Sequence, residues 1–169
     1  MSAPLRAILS LGSNLGDRAA TLAAAVDDIA ALDGVRVERV SGIVETAAIK
    51  PHGVDEAAPA YLNLVAEIAT TLEPEVLLAA LNRIELAHGR VREERWGDRT
   101  LDIDIVTIGG LRLQTDSLTL PHPRAAERAF VLVPWLELDA EAQLPGIGAI
   151  SVLPAAHEVV SRYRAEADS

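Results

Sequence analysis

The strict alternation of YLNLVAEIAT, residues 61–70, constrains this chain more than any other stretch. Successive side chains of a strand point to opposite faces. Leu62, Leu64, Ala66 and Ile68 therefore share one face, and Tyr61, Asn63, Val65 and Glu67 the other. The segments around this strand alternate between strand and helix periods. LRAILSLGS predicts a first strand, and GSNLGDR a turn with Ser13 or Asn14 as a helix N-cap. The helix that follows carries Leu22, Val26, Ile29 and Leu32 on one stripe, with Gly34 past its end. VRVERVSGIVETA predicts a second strand and AIKPHGVDEAAPA a loop. Pro74 suits the first position of a second helix, whose stripe is Leu77, Leu81 and Ile84 and whose stop is Gly89. TLDIDIVTI predicts a further strand.

The order β-α-β-β-α-β predicts an α+β fold of ferredoxin-like type, an antiparallel sheet with helices packed on it. A C-terminal extension follows, through AFVLVPWLEL to a final amphipathic helix in SVLPAAHEVVSRYRAEADS. The chain has 169 residues and neither a repeat nor a linker, so residues 1–169 are expected to form a single domain.

Composition narrows the function. The formal net charge is −10, which repels nucleic-acid phosphates and anionic lipid, so no nucleic-acid or membrane partner is expected. An anionic small molecule remains compatible if cations gather locally. There is no cysteine, hence no disulfide or thiol chemistry. That fits the cytoplasm, as does an N-terminus without a signal-peptide pattern. No apolar run reaches the roughly 20 residues that cross a bilayer.

Asp102 and Asp104 lie two apart in a strand, so they project together, about 6.6 Å apart along it. Leu101, Ile103 and Ile105 take the other face, and Val106 and Ile108 continue the aspartates' face as apolar residues. Such a pair favours a cation between the carboxylates. Magnesium suits it, because it takes few carboxylates and completes its shell with water and phosphate oxygens. The plainer reading is an exposed strand face, or two aspartates each paired with an arginine.

Just before this pair stand Arg90, Arg92, Arg95 and Arg99, with Trp96 among them. Guanidinium forks match phosphate oxygens and stay charged at any working pH. A solvated charge run is the alternative, since Glu93 and Glu94 are interspersed. Taken together, metal-binding acids beside phosphate-binding bases are what phosphoryl transfer requires.

Other pieces are weaker alone. Asn63, beside Tyr61, offers a donor and an acceptor that could read the edge of a heterocycle, or be satisfied by backbone. Asn82 and Glu85 are neighbours on a helix, and a surface pair is the ordinary reading. His122 lies in a turn, where it reads equally as a phosphate donor or a plain loop histidine, and Phe130, the sole phenylalanine, as a ring-stacking wall or, by default, a core residue. LGSNLGDR lacks the ending of a P-loop and the glycines of a dinucleotide fold, and reads as a tight strand-to-helix turn.

The blocks LSLGSNLGDR, YLNLVAEIAT, RIELAHGRVREERWGDRTLDIDIVTIGG and LTLPHPRAAERAFVLVPWLEL, in that order, resemble the 6-hydroxymethyl-7,8-dihydropterin pyrophosphokinase family along nearly the whole chain. The resemblance implies transfer of diphosphate from ATP, the co-substrate, to a reduced pterin in folate biosynthesis, with two magnesium ions as cofactors and a ferredoxin-like fold. It implies that Asp102 and Asp104 hold the metals, and that Arg90 and Arg99 engage the transferring phosphates with Arg92 assisting. Trp96 and Phe130 would enclose the pterin, and Asn63 would read its edge, with Asp102, Tyr61, Thr46 and Ala47 alongside. Asn82, Glu85, Trp96, Ile105, His122 and Arg128 would contact ATP. Asn82 stands where the family commonly has glutamine, and the run TAAIKPHGV displaces the family's proline and glycine. The reading is a monomeric magnesium-dependent diphosphotransferase. The rivals are a non-catalytic ferredoxin-like nucleotide-binding module and a metal-dependent phosphohydrolase.

Overall fold

The computed structural model of the chain describes residues 3–14, 17–46, 48–50, 53–55, 60–89 and 101–163. Its regular elements are β1 (Leu5–Ser13), α1 (Arg18–Ala30), β2 (Val35–Val40), β3 (Val44–Thr46), β4 (Ala48–Lys50), β5 (Gly53–Asp55), β6 (Tyr61–Thr70), α2 (Pro74–Ala87) and β7 (Asp102–Ile108). They continue with β8 (Leu113–Gln114), β9 (Thr119–Leu120), α3 (Ala129–Leu138), β10 (Gln143–Leu144), β11 (Gly148–Ala149) and β12 (Ser161–Arg162). The fold is α+β: a six-stranded sheet in the order β12-β3-β6-β1-β7, with β2 also on β6, and three α-helices among the described residues. Its strand pairs are antiparallel.

The alternation read from β6 is the one observed. Leu62, Leu64, Ala66 and Ile68 join Ala7, Leu9 and Leu11 of β1 in a core completed by Leu22 and Ile29 of α1 and Leu77 and Leu81 of α2. Helix α2 has Pro74 in its first turn, and Gly89 past its end takes φ 84°, a left-handed value that glycine adopts without strain. The opposite face of the sheet packs Ile8, Val65 and Val106 against Val131, Leu132 and Trp135 of α3 and against Ile150 and Ala155 beyond it.

Several boundaries differ from those the sequence predicts. Helix α1 is capped by Asp17, whose carboxylate accepts the Ala20 N–H at 3.2 Å, while Ser13 belongs to β1 and Asn14 is fully buried. The second strand is two strands. Ser41 interrupts it, and its hydroxyl accepts the Val65 N–H at 2.9 Å while its own N–H donates to the Val65 carbonyl at 2.9 Å. The break is therefore stitched to β6 without loss of a hydrogen bond. The expected loop after β3 contains the antiparallel pair β4 and β5, with Ile49 opposite Val54.

The run AFVLVPWLEL is helix α3 despite Pro134 inside it. The expected final helix is absent over its described part. Two short 3-10 turns, Ile150–Val152 and Pro154–His157, replace it, and β12 then pairs with β3. Proline at the start of the second turn cannot continue a preceding helix.

One departure bears on the site. Leu9 lies opposite Ile105 but Ile8 opposite Thr107, so Val106 is an extra residue and β7 bulges there. The bulge shifts the alternation by one. Ile108 therefore joins Ile103 and Ile105 in the helix-side core and does not continue the aspartates' face; Val106 does.

Candidate active site

On the α3 side of the sheet three neighbouring strands change from apolar to polar in step. Strand β1 runs Ile8, Ser10, Gly12; β6 runs Val65, Asn63, Tyr61; β7 runs Val106, Asp104, Asp102. Register aligns the change. Ser10 lies between Val65 and Asp104, and Gly12 between Asn63 and Asp102. The apolar half is sealed by α3, and the polar half is the candidate site.

Asp104 is the best-defined acid. Its carboxylate side chain is 41% exposed, with Arg128 Nη1 at 3.4 Å and His122 Nε2 at 4.0 Å from Oδ2. Arg128 immediately precedes α3, and its guanidinium lies 5.5 Å from the centre of the Phe130 ring, a cation–π contact. His122 is tied to the outer edge of β7 because its main-chain N–H donates to the Val106 carbonyl at 2.9 Å. Its Nδ1 accepts the Arg124 N–H at 3.1 Å, which leaves Nε2 to carry the proton of the neutral ring. Burial lowers the pKa of His122; Asp104 opposes that shift, and Arg128 and Arg124 add to it.

Two strands away, Asn63 is 4% exposed and its Nδ2 donates to the Thr46 hydroxyl at 3.2 Å. Tyr61 stands opposite Thr46 on the neighbouring strand. Thr46, Tyr61, Asn63, Asp102, Asp104, His122, Arg128 and Phe130 thus lie at one side of the sheet, from positions spread over 85 residues of sequence.

Asn82, Glu85 and Ile105 are placed differently. Ile105 is 3% exposed and packs in the helix-side core, so its side chain does not face the aspartates. Glu85 is no surface residue: it is 1% exposed, and Oε2 accepts the Ile103 N–H at 2.8 Å. Asn82 lies half-buried on the same helix. Glu85 thus reaches β7 from α2, and Ile105 of β7 faces that helix side. Arg90, Arg92, Arg95, Trp96, Arg99 and Ala47 lie outside the described residues.

Gly12 and Ser10 were not singled out by sequence reasoning. The available signal was a glycine within a strand pattern, which marks close approach of another group.

Among the described residues no cluster of three or more potential metal-ligating side chains is found. Two carboxylates on one face nevertheless suit magnesium, whose remaining positions are filled by water and substrate phosphate. A separate cleft of about 400 Å³ lies at the other end of the sheet, between Arg6, Glu67, Trp135 and Asp139. Its charges are matched internally: Glu67, 5% exposed at its side chain, meets Arg6 and Arg39 at 2.6 Å each. That cluster braces β1 and β2 against β6.

Adjacent carboxylates on a sheet, with a guanidinium and a neutral imidazole at one of them and an amide two strands off, define equipment of the phosphoryl-transfer class. No helix among the described residues is long and apolar enough to span a membrane. The chain matches the model of the 7,8-dihydro-6-hydroxymethylpterin-pyrophosphokinase family over residues 8–140 and belongs to that family. It is 44% identical over 141 residues to the 2-amino-4-hydroxy-6-hydroxymethyldihydropteridine pyrophosphokinase of Methylorubrum extorquens, covering 83% of this chain and 87% of that one. The Bacillus subtilis enzyme of the same name is 43% identical over 132 residues, covering 78% and 77%. In fold, the chain resembles the Plasmodium falciparum HPPK-DHPS crystal structure with pterin and p-hydroxybenzoate, with a TM-score of 0.67 at 14% identity. That match covers 90% of this chain and 41% of the other, so this chain spans under half of that protein.

Proposed function

We propose that this chain transfers the diphosphoryl group of ATP to 6-hydroxymethyl-7,8-dihydropterin, with the aspartate pair and the residues around it as the reacting centre. The single observation that carries the reading is the shared row Asn63–Gly12–Asp102, which sets an amide able to read a heterocycle in line with a metal-binding carboxylate. The named enzymes of the family support the reaction.

Asp102 and Asp104 would hold magnesium, two ions in our reading, which when bound neutralise phosphate charge and orient the transferring group. The pterin hydroxymethyl oxygen bonds to the β-phosphorus. The bond from that phosphorus to the oxygen bridging it to the α-phosphate breaks, and AMP leaves with that oxygen and the electron pair. The hydroxyl proton passes to solvent.

This chain's own groups bind and orient. Arg128 and the Nε2–H of His122 present positive charge and a donor beside Asp104, suited to phosphate oxygens. Arg90, Arg92 and Arg99 would neutralise the remaining charge as AMP departs. Asn63, Tyr61, Thr46 and Ala47 would receive the pterin, between Phe130 and Trp96. Asn82, Glu85 and the main chain at Ile105 would lie along the nucleotide, on the helix side of β7.

The core is ferredoxin-like in this reading. Strands β2, β6, β1 and β7 lie in that order with α1 and α2 on one face, and the residues after β7 form a C-terminal extension that closes the other. The chain is taken as one domain, a cytoplasmic monomer whose partners are ATP and the reduced pterin.

The test is product analysis after incubation with ATP, magnesium and the hydroxymethyl dihydropterin. AMP with pterin diphosphate supports the reading. ADP or free phosphate points to a phosphohydrolase, and binding without products to a nucleotide-binding module.

A further inference from the structure

Gly12 lies inside a strand, where glycine costs backbone entropy and contributes no packing. Two reasons can retain it: a backbone conformation closed to other residues, or a neighbour too near for a Cβ. The first does not apply, because Gly12 is absent from the glycines with positive φ. The second does. A Cβ at residue 12 would lie 2.6 Å from Asn63 Oδ1, with Asn63 Cγ and Tyr61 Cδ1 each at 3.6 Å. Only the amide oxygen is in conflict. The argument holds for either orientation of the amide, since a polar atom faces residue 12 in both.

We infer that Gly12 is a specificity-determining position: its missing side chain lets the Asn63 amide lie flat over β1, aimed at the edge of a planar heterocycle. The inference rests on the proposed role of Asn63 as the reader of the pterin. Asn63 is held from one side by the Thr46 hydroxyl at 3.2 Å. On the other side it has room only because residue 12 ends at its Cα. A methyl group there meets the tip of a side chain that can turn, so the strand stays in place and the amide moves. Turning the amide breaks its bond to Thr46 and misaligns its donor and acceptor together. Hydrogen-bonding sites lose discrimination steeply when such groups are misplaced. None of the three atoms nearest the added Cβ belongs to the carboxylates of β7, so the two substrates should respond differently.

The experiment compares Gly12→Ala, Asn63→Ala and the double variant. Pterin binding is titrated with a non-hydrolysable ATP analogue and magnesium present, the analogue is titrated alone, and the Asn63 side-chain amide is followed by NMR in the ligand-free protein. Gly12→Ala is expected to weaken pterin binding by about tenfold or more, to leave analogue binding within about twofold, and to shift the amide resonances. The double variant is expected to bind pterin no more weakly than Asn63→Ala, because the two changes act through one group. Equal losses for both ligands, or an unchanged pterin affinity in Gly12→Ala while Asn63→Ala loses it, would overturn the inference and leave the role of Asn63 standing. An unchanged affinity in Asn63→Ala would overturn both. Should Gly12→Ala fail to fold, folding regained in the double variant supports the conflict with Asn63, and no recovery overturns it.

Discussion

Glu85 on α2 accepts the main-chain N–H of Ile103 at 2.8 Å, and Ile103 is the residue between the two aspartates. Strand β7 ends the sheet, so its outer N–H groups need partners from elsewhere. A buried carboxylate on the neighbouring helix supplies one and ties the acidic pair to α2. Replacing Glu85 by leucine leaves that N–H buried without a partner. We expect a stability loss of about 1–3 kcal/mol, together with a higher magnesium requirement for turnover. Glu85→Gln keeps an acceptor oxygen and should recover much of both. Thermal denaturation and a magnesium titration of the initial rate measure the two effects.

Asp102→Asn and Asp104→Asn preserve shape and remove charge. Each is expected to lower turnover by at least about a hundredfold, since in the proposed reading the carboxylates serve the metal and not the core. Melting temperatures should stay near that of the parent protein. A variant that keeps most of its rate would remove the acidic pair from the mechanism.

Arg128 touches both Asp104 and the Phe130 ring. Lysine keeps the charge but not the planar fork. Arg128→Ala should weaken binding of an ATP analogue by about tenfold or more, as loss of a charged partner commonly does, and Arg128→Lys by less. Titrations at two ionic strengths should show the flatter salt response in Arg128→Ala.

His122 gives a pH dependence whose sign follows from its environment. Burial, the largest cause, lowers its pKa in the folded state, so the unfolded chain binds the proton more readily. Its contribution to stability is complete above the ordinary imidazole value of about 6.5 and is lost as pH falls through the folded value. Denaturant midpoints of the ligand-free protein between pH 8 and pH 5 should therefore decline toward acid, and His122→Gln should flatten that decline. An identical decline in the variant would assign it to other groups.

How much was legible can be judged from particular residues. The alternation in β6 and the stripe Leu77, Leu81, Ile84 predicted the buried faces, because a face that must leave water writes its period into the chain. Asp102 and Asp104 were legible as a pair because residues two apart share a strand face. Arg128 was implied by resemblance alone, and His122 was legible only as a turn histidine able to donate to a phosphate; no spacing rule carries residues 18 and 24 positions beyond Asp104 back to its carboxylate. The bulge at Val106, which turns Ile108 inward, leaves no mark in an apolar run that reads equally well on either face. AFVLVPWLEL was uninformative for the same reason: it is apolar nearly all round. Glu85 was misread as a surface residue because its partner is a main-chain N–H, which every residue but proline offers.

The sequence by itself determined which segments bury which faces, the α+β order, the acidic pair and the family, since these depend on local period and on residue identity. Only the tertiary structure decided that Asn63, Gly12 and Asp102 form one row across three strands, and that Arg128 and His122 converge on Asp104. Antiparallel register brings residues distant in sequence within hydrogen-bonding reach, and register is settled by how whole faces pack, not by any single stretch of chain.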